Sequence, residues 1–131
     1  MTANALPYPP EKRLLVMDDE AAFGRFVRRT AEAEGYAVEV LTQSRAFAET
    51  FDRFRPTLVV LDMVMPEMDG IEIIRWLVAR EASVRLAVIT GFNPMYAHMG
   101  QVLAEAHGRM EVLSLEKPIS VADLRKLLTA P

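Results

Sequence analysis

Five short runs of aliphatic and β-branched residues recur along the chain, at Arg13–Met17, Ala37–Leu41, Thr57–Leu61, Arg85–Thr90 and Glu111–Leu115. Two of them, Leu14-Leu15-Val16-Met17 and Leu58-Val59-Val60-Leu61, are continuously apolar rather than alternating. Strands covered on both faces have this pattern, as in a parallel sheet sandwiched between helices. The intervening segments carry apolar residues at helical spacing. The first has Phe23, Phe26, Val27 and Thr30 on one side and Arg25, Arg28, Arg29 and Glu32 elsewhere. The second uses Phe47, Thr50, Phe51 and Phe54 and should stop before Pro56. A third runs from Ile71 to Arg80 with Ile73, Ile74, Leu77 and Val78 inward, and a fourth uses Met99, Val102, Leu103 and Ala106. The last opens with Ser120 and Asp123 at capping-box spacing and is expected to bury Val121, Leu124 and Leu128.

Five strands alternating with five helices predict one doubly wound α/β domain with a parallel sheet and right-handed crossovers. Residues 1–11, with Pro7, Pro9 and Pro10, read as a short disordered lead-in, which leaves 12–131 for the domain. No repeat or linker interrupts it.

Composition narrows the function classes. The 131 residues include no cysteine, which excludes disulfide frameworks, thiolate zinc sites and a cysteine nucleophile. A net charge of −3 argues against an electrostatic grip on nucleic acid. No apolar run approaches the ~18 residues of a membrane-spanning helix, and MTANALPYPP lacks the basic and apolar stretches of a signal peptide. A cytoplasmic domain is expected.

In doubly wound folds ligands bind outside the carboxyl ends of the strands. The first strand ends in Asp18-Asp19-Glu20 and the third in Asp62, followed by Met63-Val64-Met65-Pro66-Glu67-Met68-Asp69-Gly70. The fourth ends in Thr90-Gly91 and the fifth in Lys117-Pro118. An isolated Asp18-Asp19 pair is more often the acidic first turn of a helix. With Asp62 beside it, three crowded carboxylates repel, which raises their pKa values or demands a cation. An oxygen-only ligand set with open positions suits Mg²⁺. Taken singly, Thr90 reads as a strand residue, Lys117 as a solvated charge and Pro118 and Gly91 as turn formers. Together, Thr90 and Lys117 offer a hydroxyl and a point charge to an incoming phosphoryl oxygen.

This ordered set resembles the response-regulator receiver domain of two-component signalling. The separations agree: 43 residues from Asp19 to Asp62, 28 from Asp62 to Thr90 and 27 from Thr90 to Lys117. The resemblance covers roughly residues 12–129 and implies a flavodoxin-like strand order, 2-1-3-4-5. It implies that Asp62 accepts a phosphoryl group from a phosphohistidine on a histidine kinase or histidine phosphotransfer protein. Asp18, Asp19, Asp62 and the Val64 carbonyl would hold Mg²⁺, with Mn²⁺ as a substitute, and Thr90 and Lys117 would contact the phosphoryl oxygens. The Lys117–Pro118 peptide is often cis in this family. The domain would catalyse its own phosphorylation and slow reset without being a metabolic enzyme. Its output would leave through the fourth helix, fifth strand and fifth helix, a surface through which a homodimer could also form, toward a downstream protein the sequence does not name. The receiver fold uses almost the whole length, so no output domain, direct nucleic-acid binding or membrane insertion is expected of this chain.

One departure bears on switching. Many receivers carry Tyr or Phe three residues before the lysine, where this chain has Ser114. Serine cannot fill the space of a ring, so switching is expected to run through the Thr90–His107 region, including Gly91, with Phe92 or Tyr96 as the moving bulk. Apolar Val64 and Phe92, two residues after Asp62 and Thr90, should hinder an attacking water and slow the reset.

Other features have plainer readings. His98 and His107, 2.5 turns apart, face opposite ways and are no metal pair. Arg25, Arg28 and Arg29 form a solvated helix face, the methionines of the Met63–Met68 loop fill gaps or dock a partner, and Trp76 sits at the edge of its stripe. Two rival functions stay open. A haloacid-dehalogenase-type phosphatase expects Asp-x-Asp after strand one, whereas here the acids are adjacent and the candidate nucleophile follows strand three. A phosphorylation-independent pseudo-receiver would not need the intact Asp18, Asp19, Asp62, Thr90 and Lys117.

Overall fold

Side chains that alternate between two apolar layers fix the architecture. In the computed structural model, which describes residues 12–63, 70–90, 98, 102 and 110–130, strands β1 (Arg13–Met17), β2 (Ala37–Leu41), β3 (Leu58–Asp62), β4 (Arg85–Thr90) and β5 (Glu111–Glu116) form one parallel sheet. Its order is β2-β1-β3-β4-β5. Every residue of β3 is buried, and β1 is buried from Leu14 onward. The continuously apolar runs are therefore the interior strands. β2, at the sheet's edge, is half-buried throughout.

Four described helices cover the sheet: α1 (Ala21–Ala33), α2 (Phe47–Phe54), α3 (Gly70–Ala79) and α4 (Val121–Thr129). Leu15, Met17, Val59, Leu61, Leu86 and Val88 point to one face, where Phe47 of α2 and Ile73, Ile74 and Leu77 of α3 close over them. The alternate residues Leu14, Val16, Leu58, Val60, Ala87 and Ile89 meet Val27 and Ala31 of α1 and Leu124, Leu127 and Leu128 of α4. This is the period of two expected of strands with a helix layer on each face.

Local chemistry sets the boundaries. α2 ends at Phe54 because Arg55 turns left-handed at φ 52° before Pro56. α1 gives way to Gly35 at φ 90°, a conformation that glycine adopts without cost. Ser120 accepts a hydrogen bond from the Asp123 amide at 3.0 Å and caps α4.

Some expectations shift. Leu127, not Val121, completes the buried stripe of α4; Val121 lies in the first turn beside the cap and stays 42% exposed. β3 begins at Leu58 rather than Thr57, although the Thr57 amide donates to the Arg13 carbonyl at 2.8 Å, its carbonyl accepts from the Arg85 amide at 3.1 Å, and its hydroxyl also bonds the Arg13 backbone. The predicted fourth helix lies outside the described residues except for His98 and Val102, both helical and exposed. Residues 1–11 also lie outside them. Among the described residues no helix is long and apolar enough to cross a membrane.

Candidate functional site

Register brings the strand ends to one rim. Met17 pairs with Leu61, Leu61 with Val88, and Thr90 with Glu116. The next residues, Asp18 and Lys117, and the terminal residue of β3, Asp62, therefore emerge together. The Asp18 amide continues the ladder by donating to the Leu41 carbonyl at 3.1 Å, and the Met63 amide donates to Ile89 at 3.0 Å. Asp18 and Asp62 thus stand where the hydrogen-bonded sheet ends.

Asp18 is 1% exposed and Asp62 8%, while Asp19 is exposed. One oxygen from each of the three carboxylates lies within 4.8 Å of the others. Lys117 partly neutralises them: its Nζ lies 2.9 Å from Asp18 Oδ2 and 3.1 Å from Glu20 Oε1. The same ammonium sits 4.5 Å from the centroid of the Phe23 ring, within cation–π range. Burial draws the Lys117 pKa down, but contact with Asp18 and Glu20 and the field of Asp62 outweigh it and hold the amine above its ordinary value. The lysine is therefore a fixed positive charge at neutral pH. The Lys117–Pro118 peptide is cis.

The two Asp18 oxygens differ. Oδ1 accepts a hydrogen bond from the Glu20 amide at 2.8 Å, which orients the carboxylate. Oδ2 is buried and lies 2.9 Å from the Lys117 ammonium, which leaves it lone-pair capacity for a further partner. A buried oxygen with spare acceptor capacity, next to two further carboxylates, fits an oxygen-coordinated divalent cation.

Met63 and Gly70 approach each other closely. The Gly70 amide donates to the Met63 carbonyl at 2.8 Å. A Cβ at position 70 would lie 2.7 Å from Met63 Cα and 2.6 Å from its Sδ. Met63 itself is fully buried, so for this methionine gap-filling applies.

Beside the carboxylates a groove of 530 Å³ runs between α1 and the segment after β5. Phe23, Phe26, Pro118 and Ile119 line it together with Glu20 and Lys117.

Residues 14–129 match the family described as the response regulator receiver domain. The chain belongs to this family. As a receiver domain it also resembles curated proteins and solved structures. It is 36% identical over 78 residues to response regulator MprA of Mycolicibacterium vanbaalenii, covering 60% of this chain and 34% of that protein. It is 38% identical over 63 residues to the transcriptional regulatory protein TrcR of Mycobacterium tuberculosis, covering 48% of this chain and 24% of the relative. The match thus spans about a third or less of these relatives' length. A response regulator crystal structure from Colwellia psychrerythraea superposes with a TM-score of 0.76 at 28% identity, over 91% of this chain and 94% of that one.

Of the residues singled out in the sequence, the receiver fold brings together Asp18, Asp19, Asp62 and Lys117. Thr90 closes β4, beside Glu116 in register, and its side chain lies outside what is described. Val64, Gly91, Phe92 and Tyr96 are outside the described residues, and Ser114 is exposed on β5. Sequence reasoning gave Glu20 no part in the site and placed Phe23 only in the apolar stripe of the first helix. Their position on the first turn after Asp18-Asp19 was the available signal, since a helix leaving strand one must start over the same rim.

Proposed function

We propose that this receiver domain takes a phosphoryl group onto Asp62 and carries it as a signal. The observation that supports this most is the cluster of three carboxylates with Lys117 paired at 2.9 Å to the most buried of them. As a structural feature such crowding is costly, because like charges at this distance repel. As a phosphoryl site it has the needed parts.

An Asp62 oxygen attacks the phosphorus of a phosphohistidine. The new O–P bond forms as the P–N bond breaks, and the imidazole leaves with the electron pair and takes up a proton. Asp62 ends a fully buried strand, a firm base from which it would approach the phosphorus in line. Lys117 supplies a fixed positive charge to the phosphoryl oxygens, and Thr90 supplies a hydroxyl. Asp18, Asp19 and Asp62, with the Val64 carbonyl, would hold Mg²⁺, which when bound neutralises charge on the transferring group. Water later attacks the phosphorus, releases inorganic phosphate and restores the carboxylate. The donor is a histidine kinase or phosphotransfer protein. The downstream protein reads the surface of the fourth predicted helix, β5 and α4.

Incubation with Mg²⁺ and acetyl phosphate, followed by intact mass, tests the reading. A single phosphoryl gain that is lost in Asp62→Asn and on chelation is expected. Turnover of phosphate esters without a stable adduct would instead indicate a phosphatase, and neither result would leave a phosphorylation-independent binding module.

A further inference from the structure

Lys117 is held in part by groups that a phosphoryl-contacting lysine does not need. Asp18 belongs to the carboxylate cluster, but Glu20 does not. Its carboxylate is 61% exposed, it makes no side-chain capping bond at the start of α1, and it meets Lys117 at 3.1 Å. The Phe23 ring lies one helical turn on and packs under the same ammonium at 4.5 Å. Glu20, Phe23 and Lys117 all line the one groove. The ammonium therefore sits in a cage of Asp18, Glu20 and an aromatic face.

We propose that Glu20 is a positioning residue that latches Lys117 in the unphosphorylated state and competes with the phosphoryl group for it. The inference rests on the phosphoacceptor reading of Asp62. The physical argument is competition for one cation. An ammonium has three donors on a flexible four-carbon stem, so it can exchange partners without backbone movement. A divalent cation at the carboxylates would occupy Asp18 and repel the ammonium, leaving Glu20 and Phe23 as the holders. A phosphoryl group on Asp62 must then draw the lysine from Glu20. Removing the Glu20 charge lowers the cost of that transfer and speeds phosphorylation. An ion pair with one exposed partner is worth roughly a 1.4- to 5-fold change in equilibrium.

Two readouts test this. The first uses the metal-free, unphosphorylated protein and does not depend on phosphoryl chemistry. The chain has lysines only at 12, 117 and 126, so ammonium ¹H–¹⁵N spectra can be assigned with a Lys117→Met variant. In Glu20→Gln, proton exchange of the Lys117 ammonium with water should rise about 1.4- to 5-fold, while Lys126 is unchanged. The second is the rate of phosphorylation by acetyl phosphate at saturating Mg²⁺. Glu20→Gln should raise it by a similar factor, and the gain should vanish in the Lys117→Met background. A purely structural role for Glu20 at the start of α1 would change both backgrounds alike. Unchanged ammonium exchange in Glu20→Gln overturns the latch. Faster exchange with an unchanged or slower phosphorylation rate overturns the competition. A wild-type chain that accepts no phosphoryl group overturns the phosphoacceptor reading and the competition with it, and the exchange measurement still decides whether the latch exists.

Discussion

Replacing Lys117 with methionine should lower the stability of the metal-free protein and make a divalent cation stabilise it more strongly than it stabilises wild type. The substitution keeps an unbranched stem and removes the ammonium that lies 2.9 Å from Asp18 Oδ2. Asp18 is 1% exposed and the Lys117 side chain 22%, which places the pair between a surface ion pair and a buried one. Exposed pairs contribute up to about 1 kcal/mol, whereas breaking a fully buried pair costs about 3–5 kcal/mol. Discounting for the solvent that reaches Lys117, the metal-free variant should lose roughly 1–3 kcal/mol. The same change removes the cation that competes for Asp18 Oδ2, so Mg²⁺ should bind the variant about tenfold more tightly, equivalent to about 1.4 kcal/mol. By linkage, saturating Mg²⁺ then recovers about that much of the lost stability. Trp76, the sole tryptophan, packs edge-on against Phe47 and Phe51 with ring centroids 5.8 and 5.5 Å away, so its fluorescence reports unfolding. Urea titrations of both proteins, with EDTA and across a Mg²⁺ series, give the stability and the affinity. A metal-free variant as stable as wild type, or one that binds Mg²⁺ no more tightly, would refute the electrostatic account.

Other expectations follow from packing and ionisation. Gly70→Ala should cost about 1–3 kcal/mol and slow phosphorylation, because its Cβ meets the Met63 backbone next to Asp62. Gly24→Ala should also destabilise, by about 1–3 kcal/mol, because its Cβ would lie 2.6 Å from Cγ1 of Val40, whose β-branched side chain has little freedom to give way; a urea midpoint equal to that of wild type would contradict this. Tyr36 donates to the Leu128 carbonyl at 2.7 Å, and its pKa is raised by burial, which the Arg85 charge opposes and Glu34 reinforces. A raised folded value means its contribution is complete below about pH 10 and is lost as pH climbs through that value, as for Lys117. Tyr36→Phe should therefore cost about 0.5–1.5 kcal/mol at pH 7 and show a shallower alkaline decline; urea midpoints from pH 7 to 11 that fall in parallel with wild type would contradict that assignment.

Much of the fold was legible because interior parallel strands cannot hide. Leu14–Met17 and Leu58–Leu61 are apolar on both sides because both sides are covered, and the chemistry then falls at their ends. Asp18, Asp19, Asp62 and Lys117 were readable for that reason: a sheet in register turns sequence position after a strand into position on one rim. What the sequence did not reveal depends on where long side chains go. Lys117 could have reached solvent, and only the packed rim shows it paired with Asp18 and Glu20 beside the Phe23 ring. Val121 was misplaced because helical spacing assigns a face but not how far the covered surface extends toward the helix end.

The identity of the phosphorylated atom tests the central claim most directly. The protein is phosphorylated with acetyl phosphate and Mg²⁺, treated with borohydride, which reduces an acyl phosphate to the alcohol, and mapped by peptide mass. The account predicts homoserine at position 62 and an unmodified Asp18 and Asp19. Reduction at another carboxylate, or a peptide spanning Asp62 that is unchanged under conditions where the donor is consumed, would contradict it.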